Sequence, residues 1–201
     1  MSSIQEIIRK TAADLLKEGK VDLVIGFAEG SLPMRATPLF VTKPEDAEKL
    51  VWNSYCTNNL AVYLPVYFGP DPRLREQPPP PKVALIVKGC DGRSVLGLIK
   101  EHQLPRENLV IIAAPCDGML DADIAETLLE NGEVLSAKES DDTVTIQGDG
   151  GKETKLDRQR LLAEACRFCA HRTAPVHDIA VGDLSQGEDA LAPDDRFETF
   201  S

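Results

Sequence analysis

Five thiols carry most of the chemistry this sequence offers: Cys56, Cys90, Cys116, Cys166 and Cys169. Two of them share a context. In "KVALIVKGCDGRS", starting at Lys82, and "NLVIIAAPCDGML", starting at Asn108, a short apolar run ends close to Cys-Asp-Gly. A thiolate, not a thiol, is the nucleophile and the metal ligand. An Asp-Gly turn that opens a helix would aim free backbone N–H groups at such a sulfur and lower its pKa. The repeat is thus expected to present two thiols at equivalent places.

Cys166 and Cys169 form a Cys-x-x-Cys pair at the end of an expected helix, "LDRQRLLAEACRFC", which puts both sulfurs on one side of its last turn. A dithiol redox motif instead opens a helix after a strand, so that reading is disfavoured. Taken together, Cys90, Cys116, Cys166 and Cys169 make a four-thiolate set compatible with tetrahedral zinc or an iron–sulfur cluster, and spacing does not choose between them. Buried free cysteines also pack as small hydrophobes, the reading that suits Cys56 in "WNSYCTNN". Asp91 and Asp117 read as turn or N-cap residues. Arg93 suits an exposed helix start or an anionic contact, and His171 and His177 suit a polar loop beside the last cysteines.

The elements that must position these residues alternate. Residues 3 to 18 repeat apolar side chains at helical spacing, "VDLVIGF" reads as a buried strand, a short strand is expected around Leu39 to Thr42, and "PEDAEKLVW" begins like a helix. Strands at Val83 to Val87 and Leu109 to Ala113 alternate with helices near Ser94 to His102 and Asp121 to Leu129. The expected class is α/β, a mostly parallel sheet with flanking helices. It should form a single domain over residues 1–184, with a proline-rich internal linker near 70–81, a β-hairpin flap near 133–155 and a loose acidic tail at 185–201. In a parallel pair both carboxyl ends lie on one edge, where ligands of open α/β sheets bind, so Cys90 and Cys116 should share a rim.

The formal net charge is −11 and no basic cluster occurs, which argues against nucleic acid as a partner. No apolar run approaches membrane-spanning length. The first residues read as an amphipathic helix and not as a secretory leader, so a cytoplasmic location with reduced thiols is expected.

The order of these motifs resembles a known family. A Gly-Cys, a strand leading to Pro-Cys, a Cys-x-x-Cys and an Asp-Ile-x-x-Gly-Asp segment at Asp178 to Asp183 are similar to the beta subunits of coenzyme F420 hydrogenases and dehydrogenases. The likeness is clearest from Lys82 to Asp183. It implies an electron-transfer subunit with a 4Fe-4S cluster, a flavin and, in some members, an F420 site. Carried over by position, Cys90, Cys116, Cys166 and Cys169 would hold the cluster, while Cys56 has no counterpart. No flavin-binding segment is identifiable, and Gly26 and Gly30 in "GFAEGS" do not make a dinucleotide fingerprint. The function implied is electron transfer within a cytoplasmic complex beside a hydrogenase, formate dehydrogenase or heterodisulfide-reductase-like partner. Two other readings stand beside it: a flavin-dependent F420-type oxidoreductase subunit, and a zinc-stabilised four-cysteine structural or adaptor protein.

Overall fold

A computed structural model describes residues 3–70, 73–129, 133–140, 142–149, 151 and 153–184. The expected acidic tail at 185–201 lies outside them. Helix α1 (Ile4–Lys17) starts where Ser3 accepts the Glu6 N–H and the Glu6 carboxylate accepts the Ser3 N–H, which satisfies two donors that a helix start leaves free. Strand β1 (Leu23–Glu29) pairs antiparallel with β2 (Ala36–Val41). Pro44–Lys49 is a 3-10 helix, tighter than the α-helix expected there. The apolar run before the proline cluster is a 3-10 turn, Leu60–Tyr63, leading into α2 (Leu64–Phe68). That run is core: Leu60 and Leu64 are completely buried, so the irregular stretch begins only after it.

β3 (Val83–Val87), α3 (Gly89–Lys100), β4 (Leu109–Ala113) and α4 (Ala122–Leu128) follow. β3 and β4 are parallel neighbours in register from Val83 opposite Leu109 to Val87 opposite Ala113. Helix α3 begins five residues before its expected start at Ser94, because the Asp91 carboxylate accepts the Lys88 N–H at 3.4 Å and caps the turn that contains Cys90. The expected hairpin flap is a three-stranded antiparallel sheet, β5 (Val134–Ser140), β6 (Thr143–Gly148) and β7 (Glu153–Asp157). The third strand has only Leu156 buried, too weak an alternation to read from sequence.

The expected long helix through the Cys-x-x-Cys pair is broken in two, α5 (Arg158–Leu161) and α6 (Glu164–Arg167). Leu162 and Ala163 have extended backbone between them, and the reason is tertiary. Leu161 accepts the Asp121 N–H and the Ala163 N–H donates to Met119, so this segment is bound as a short strand to the loop after Cys116. Asp157 caps α5 as expected, accepting the Gln159 N–H at 2.7 Å. Finally β8 (Ile179–Ala180) adds in parallel to β4, and the five-stranded sheet runs β2-β1-β3-β4-β8. The class is the α/β class expected, with an antiparallel edge strand.

Successive side chains of a strand point to opposite faces. Val24, Ile86 and Ile112 therefore pack under α1 with Ile8, Ala12 and Leu15. Ile25, Leu85 and Ile111 pack on the other face with Leu60, Leu64 and Val95. A third cluster joins the small sheet, through Val144 and Ile146, to Leu120, Leu161 and Leu162.

Candidate functional site

Cys90 and Cys116 both follow carboxyl ends of the parallel pair β3 and β4, but they are not equivalent. Cys90 lies inside the first turn of α3, whereas Cys116 stands in an irregular loop well before α4. The Asp-Gly turn expected at both positions exists only at the second, where Gly118 has φ +92°. At the first, Asp91 and Gly92 are helical and buried.

The two glycines nonetheless do one job: they let the C-terminal segment approach. A Cβ on Gly92 would stand 2.6 Å from Ala174 Cβ, and one on Gly118 would stand 2.8 Å from Leu162 Cδ2 and 3.5 Å from Cys166 Cβ. Gly89 is tighter still, since a Cβ there would run into the His171 carbonyl oxygen. These close approaches bring residues 162–174 against both cysteine-bearing turns. Cys90, Cys116, Cys166 and Cys169 consequently line one cavity of about 460 Å³. Cys90 is exposed at its mouth, while the other three are half-buried. Cys56 lies in the core, fully buried, with its Sγ 3.5 Å from Asn53 Oδ1.

Burial is the largest influence on the Cys116 and Cys90 thiols. It pushes Cys116 up to about 11, against a hydrogen bond from the Gly118 backbone that favours the thiolate. Cys90, although open to solvent on one side, is also raised, first by the protein packed around the rest of it and then by Asp91 beside it. Negative charge on Cys90 or Cys166 would raise Cys116 further, so these sulfurs feel one another across the cavity. The Met119 N–H donates to Cys166 Sγ at 3.4 Å, and Cys169 Sγ donates to the His171 carbonyl at 3.4 Å. Among the described residues no three His, Cys, Asp or Glu side chains are close enough to share one metal ion. Four thiols lining one cavity are a donor set of the kind that an iron–sulfur cluster or a zinc ion takes.

Two basic residues absent from the sequence reading support this wall. Lys88 is 2% exposed and lines the cavity; its Nζ donates to Asp91 Oδ2 at 2.8 Å. A lysine ending an otherwise apolar buried strand, directly before Gly-Cys, was the signal available. Arg158 ties the Cys116 loop to the small sheet: it donates to the carbonyls of Asp117 at 2.9 Å and Gly118 at 2.8 Å and pairs with Glu139 at 2.5 Å. Nothing in the sequence marked it, because an arginine in a polar helix turn looks solvated.

The remaining candidates have structural places. Arg93 is exposed and donates to the His171 carbonyl at 3.3 Å; His171 and His177 are exposed. Asp117 is exposed near Cys116. Asp178, first of the Asp-Ile-x-x-Gly-Asp segment, accepts the Ile111 N–H at 2.7 Å and pairs with Arg106 at 2.5 Å, which starts β8 along β4. Trp52 Nε1 donates to the Pro115 carbonyl at 3.1 Å and steadies the approach to Cys116.

Comparison with known proteins adds three findings. A family model for the C-terminal part of the coenzyme F420 hydrogenase/dehydrogenase beta subunit matches residues 81–195. The chain is similar to the F420-dependent formate dehydrogenase 1 subunit beta of Methanococcus maripaludis, 27% identical over 192 residues that cover 88% of this chain and 46% of that protein. It therefore spans about half the length of that relative. Its fold is similar to one in the F420-reducing NiFe hydrogenase complex from Methanosarcina barkeri, with a TM-score of 0.57 at 15% identity, covering 84% of this chain and 58% of that one.

Proposed function

Because the chain belongs to the coenzyme F420 hydrogenase/dehydrogenase beta subunit family, whose C-terminal part it matches, we propose that it is an electron-transfer subunit of a redox enzyme complex, with Cys90, Cys116, Cys166 and Cys169 holding a 4Fe-4S cluster. The observation that carries this reading is the meeting of four cysteines from three separate chain segments on one cavity. When bound, such a cluster takes up and gives back single electrons without breaking substrate bonds.

The chain's own residues do the rest. The four thiols supply the ligands, and the backbone N–H groups of Gly118 and Met119 donate toward Cys116 and Cys166, which favours negative sulfur. The buried sheet end under Cys116 limits rearrangement when charge changes. Cys90, at the exposed mouth, marks where a partner protein would approach; the partner proposed is the catalytic subunit of a hydrogenase, formate dehydrogenase or heterodisulfide-reductase-like enzyme. Among the described residues no helix is long and apolar enough to cross a membrane.

Anaerobic purification followed by iron, sulfide, zinc and flavin analysis tests this reading. Brown protein bleached by dithionite, with near-equal iron and sulfide, is the expected outcome. Each of the four Cys→Ser variants should lose most of its iron while Cys56→Ser keeps it, and equal loss at Cys56 would contradict the assignment. Colourless protein carrying only zinc would replace electron transfer with a structural role, and yellow protein with releasable flavin would point to the flavin-dependent alternative.

A further inference from the structure

Lys88 is an expensive residue that the thiols alone do not explain. It stands between β3, a strand buried along its whole length, and the first turn of α3, and it is 2% exposed. Removing such a charge from water costs several kcal/mol unless partners compensate it. Here the partners are built in: Nζ donates to the Asn58 carbonyl at 2.6 Å and to Asp91 Oδ2 at 2.8 Å, and it stands 5.1 Å from the centre of the Phe27 ring. Asp91 is 0% exposed.

Lys88 belongs to the cavity wall together with the four cysteines. Asp91 reaches the same site, since its Oδ1 accepts from Cys90 Sγ at 3.8 Å. At Cys116 the Lys88 ammonium favours negative sulfur, while at Cys90 the adjoining Asp91 carboxylate opposes negative sulfur more than Lys88 favours it. The other charged side chains of the wall are Arg93 and Arg172, both cationic.

We propose that Lys88 is a positioning residue for electron transfer, a fixed buried ammonium that biases the group held by Cys90, Cys116, Cys166 and Cys169 toward its reduced state. The inference rests on the cluster reading above. Reduction there adds one electron, supplied by a donor redox protein, and makes or breaks no bond. Lys88 stabilises that added charge because the burial that isolates it from water also isolates it from screening ions. Asp91 sets the size of the bias by neutralising part of it.

The test compares reconstituted parent protein with Lys88→Met, Lys88→Arg and Asp91→Asn, using redox titration followed by electron paramagnetic resonance, with iron content and thermal unfolding alongside. In Lys88→Met the ratio of reduced to oxidised centre at a fixed potential should fall roughly tenfold, about 59 mV for one electron. Asp91→Asn keeps an acceptor for Lys88 and removes the opposing charge, so its ratio should rise, by about threefold or more on the same scale. Lys88→Arg should stay close to the parent. Variants with parental iron whose potentials do not move, or move the same way, overturn the role of Lys88 and leave the cluster reading standing. If Lys88→Met loses its iron, an unmoved Asp91→Asn overturns the role by itself. A parent that binds no iron and sulfide overturns both readings.

Discussion

Arg158 shows how much of the site depends on a side chain that holds no ligand. Its guanidinium is 8% exposed as a residue and spans the Asp117 and Gly118 carbonyls, Ser54 Oγ and Glu139. Hydrogen bonds made by a charged group contribute about 1.5–3 kcal/mol each when they are hard to replace. Arg158→Met should therefore destabilise the protein by roughly 3 kcal/mol and lower its iron content, measured by denaturant unfolding and metal analysis. Arg158→Lys, which cannot span the same set, should recover only part of either. At this scale the thiols were legible and their supports were not. A cysteine has few roles and its spacing can be counted, whereas Arg158 and Lys88 acquire theirs only from groups far away in sequence.

Thiol reactivity gives a second residue-level prediction. Cys56 and Cys116 are each pushed up to about 11, chiefly by burial. A raised pKa means less thiolate at a given pH, tenfold less per unit. In metal-free folded protein at pH 8, alkylation of Cys116 should run roughly a hundredfold slower than that of a free thiol, and unfolding should abolish the difference. Peptide mapping after timed iodoacetamide treatment measures both. Modification at the rate of a free thiol would show that the wall around Cys116 is open in solution.

Elements bring the thiols together through contacts that exclude side chains. At Gly89 the first turn of α3 touches the carbonyl of His171, with no room for a Cβ. Gly89→Ala must push the segment after Cys169 away from Cys90, because the atom it meets is backbone. Expected are a loss of iron content and an unfolding midpoint lowered by several degrees, the shift of about 1–2 kcal/mol for a domain of this size. Gly97, also in α3, has nothing within 4 Å of an added Cβ, so Gly97→Ala should gain stability by helix propensity and keep its iron. The buried strands β3 and β4 were readable because their apolar runs are unbroken. The break between α5 and α6 was not, since the pattern in "LDRQRLLAEACRFC" is helical and only the bonds to Met119 and Asp121 overrule it.

The whole molecule closes on itself at β8, a strand of two residues. Its anchorage is polar: Asp178 binds Arg106 and the Ile111 N–H. Burial alone would raise the Asp178 carboxyl, but the Arg106 hydrogen bond, the Ile111 N–H and the nearby positive charge outweigh it and hold it below the usual range. A depressed carboxylate stabilises the fold above its unfolded pKa and loses that contribution as pH falls through the lower folded value. The stability difference between parent and Asp178→Asn should thus be constant above about pH 5 and shrink below about pH 4, in urea titrations at each pH. A difference that persists at pH 2 would assign the contribution to shape instead of charge. The family resemblance pointed to this segment, but its role as a strand escaped a period-based reading because two residues show no period.

That brevity has a further consequence. Everything from Arg158 to Leu184 is fastened between the small sheet and a two-residue seam, with two thiols midway along the strap. A centre gripped by those thiols and by the two behind them would work as a buckle. Stripping it with a chelator should quicken amide exchange throughout the strap while the amides of β3 and β4 keep their protection.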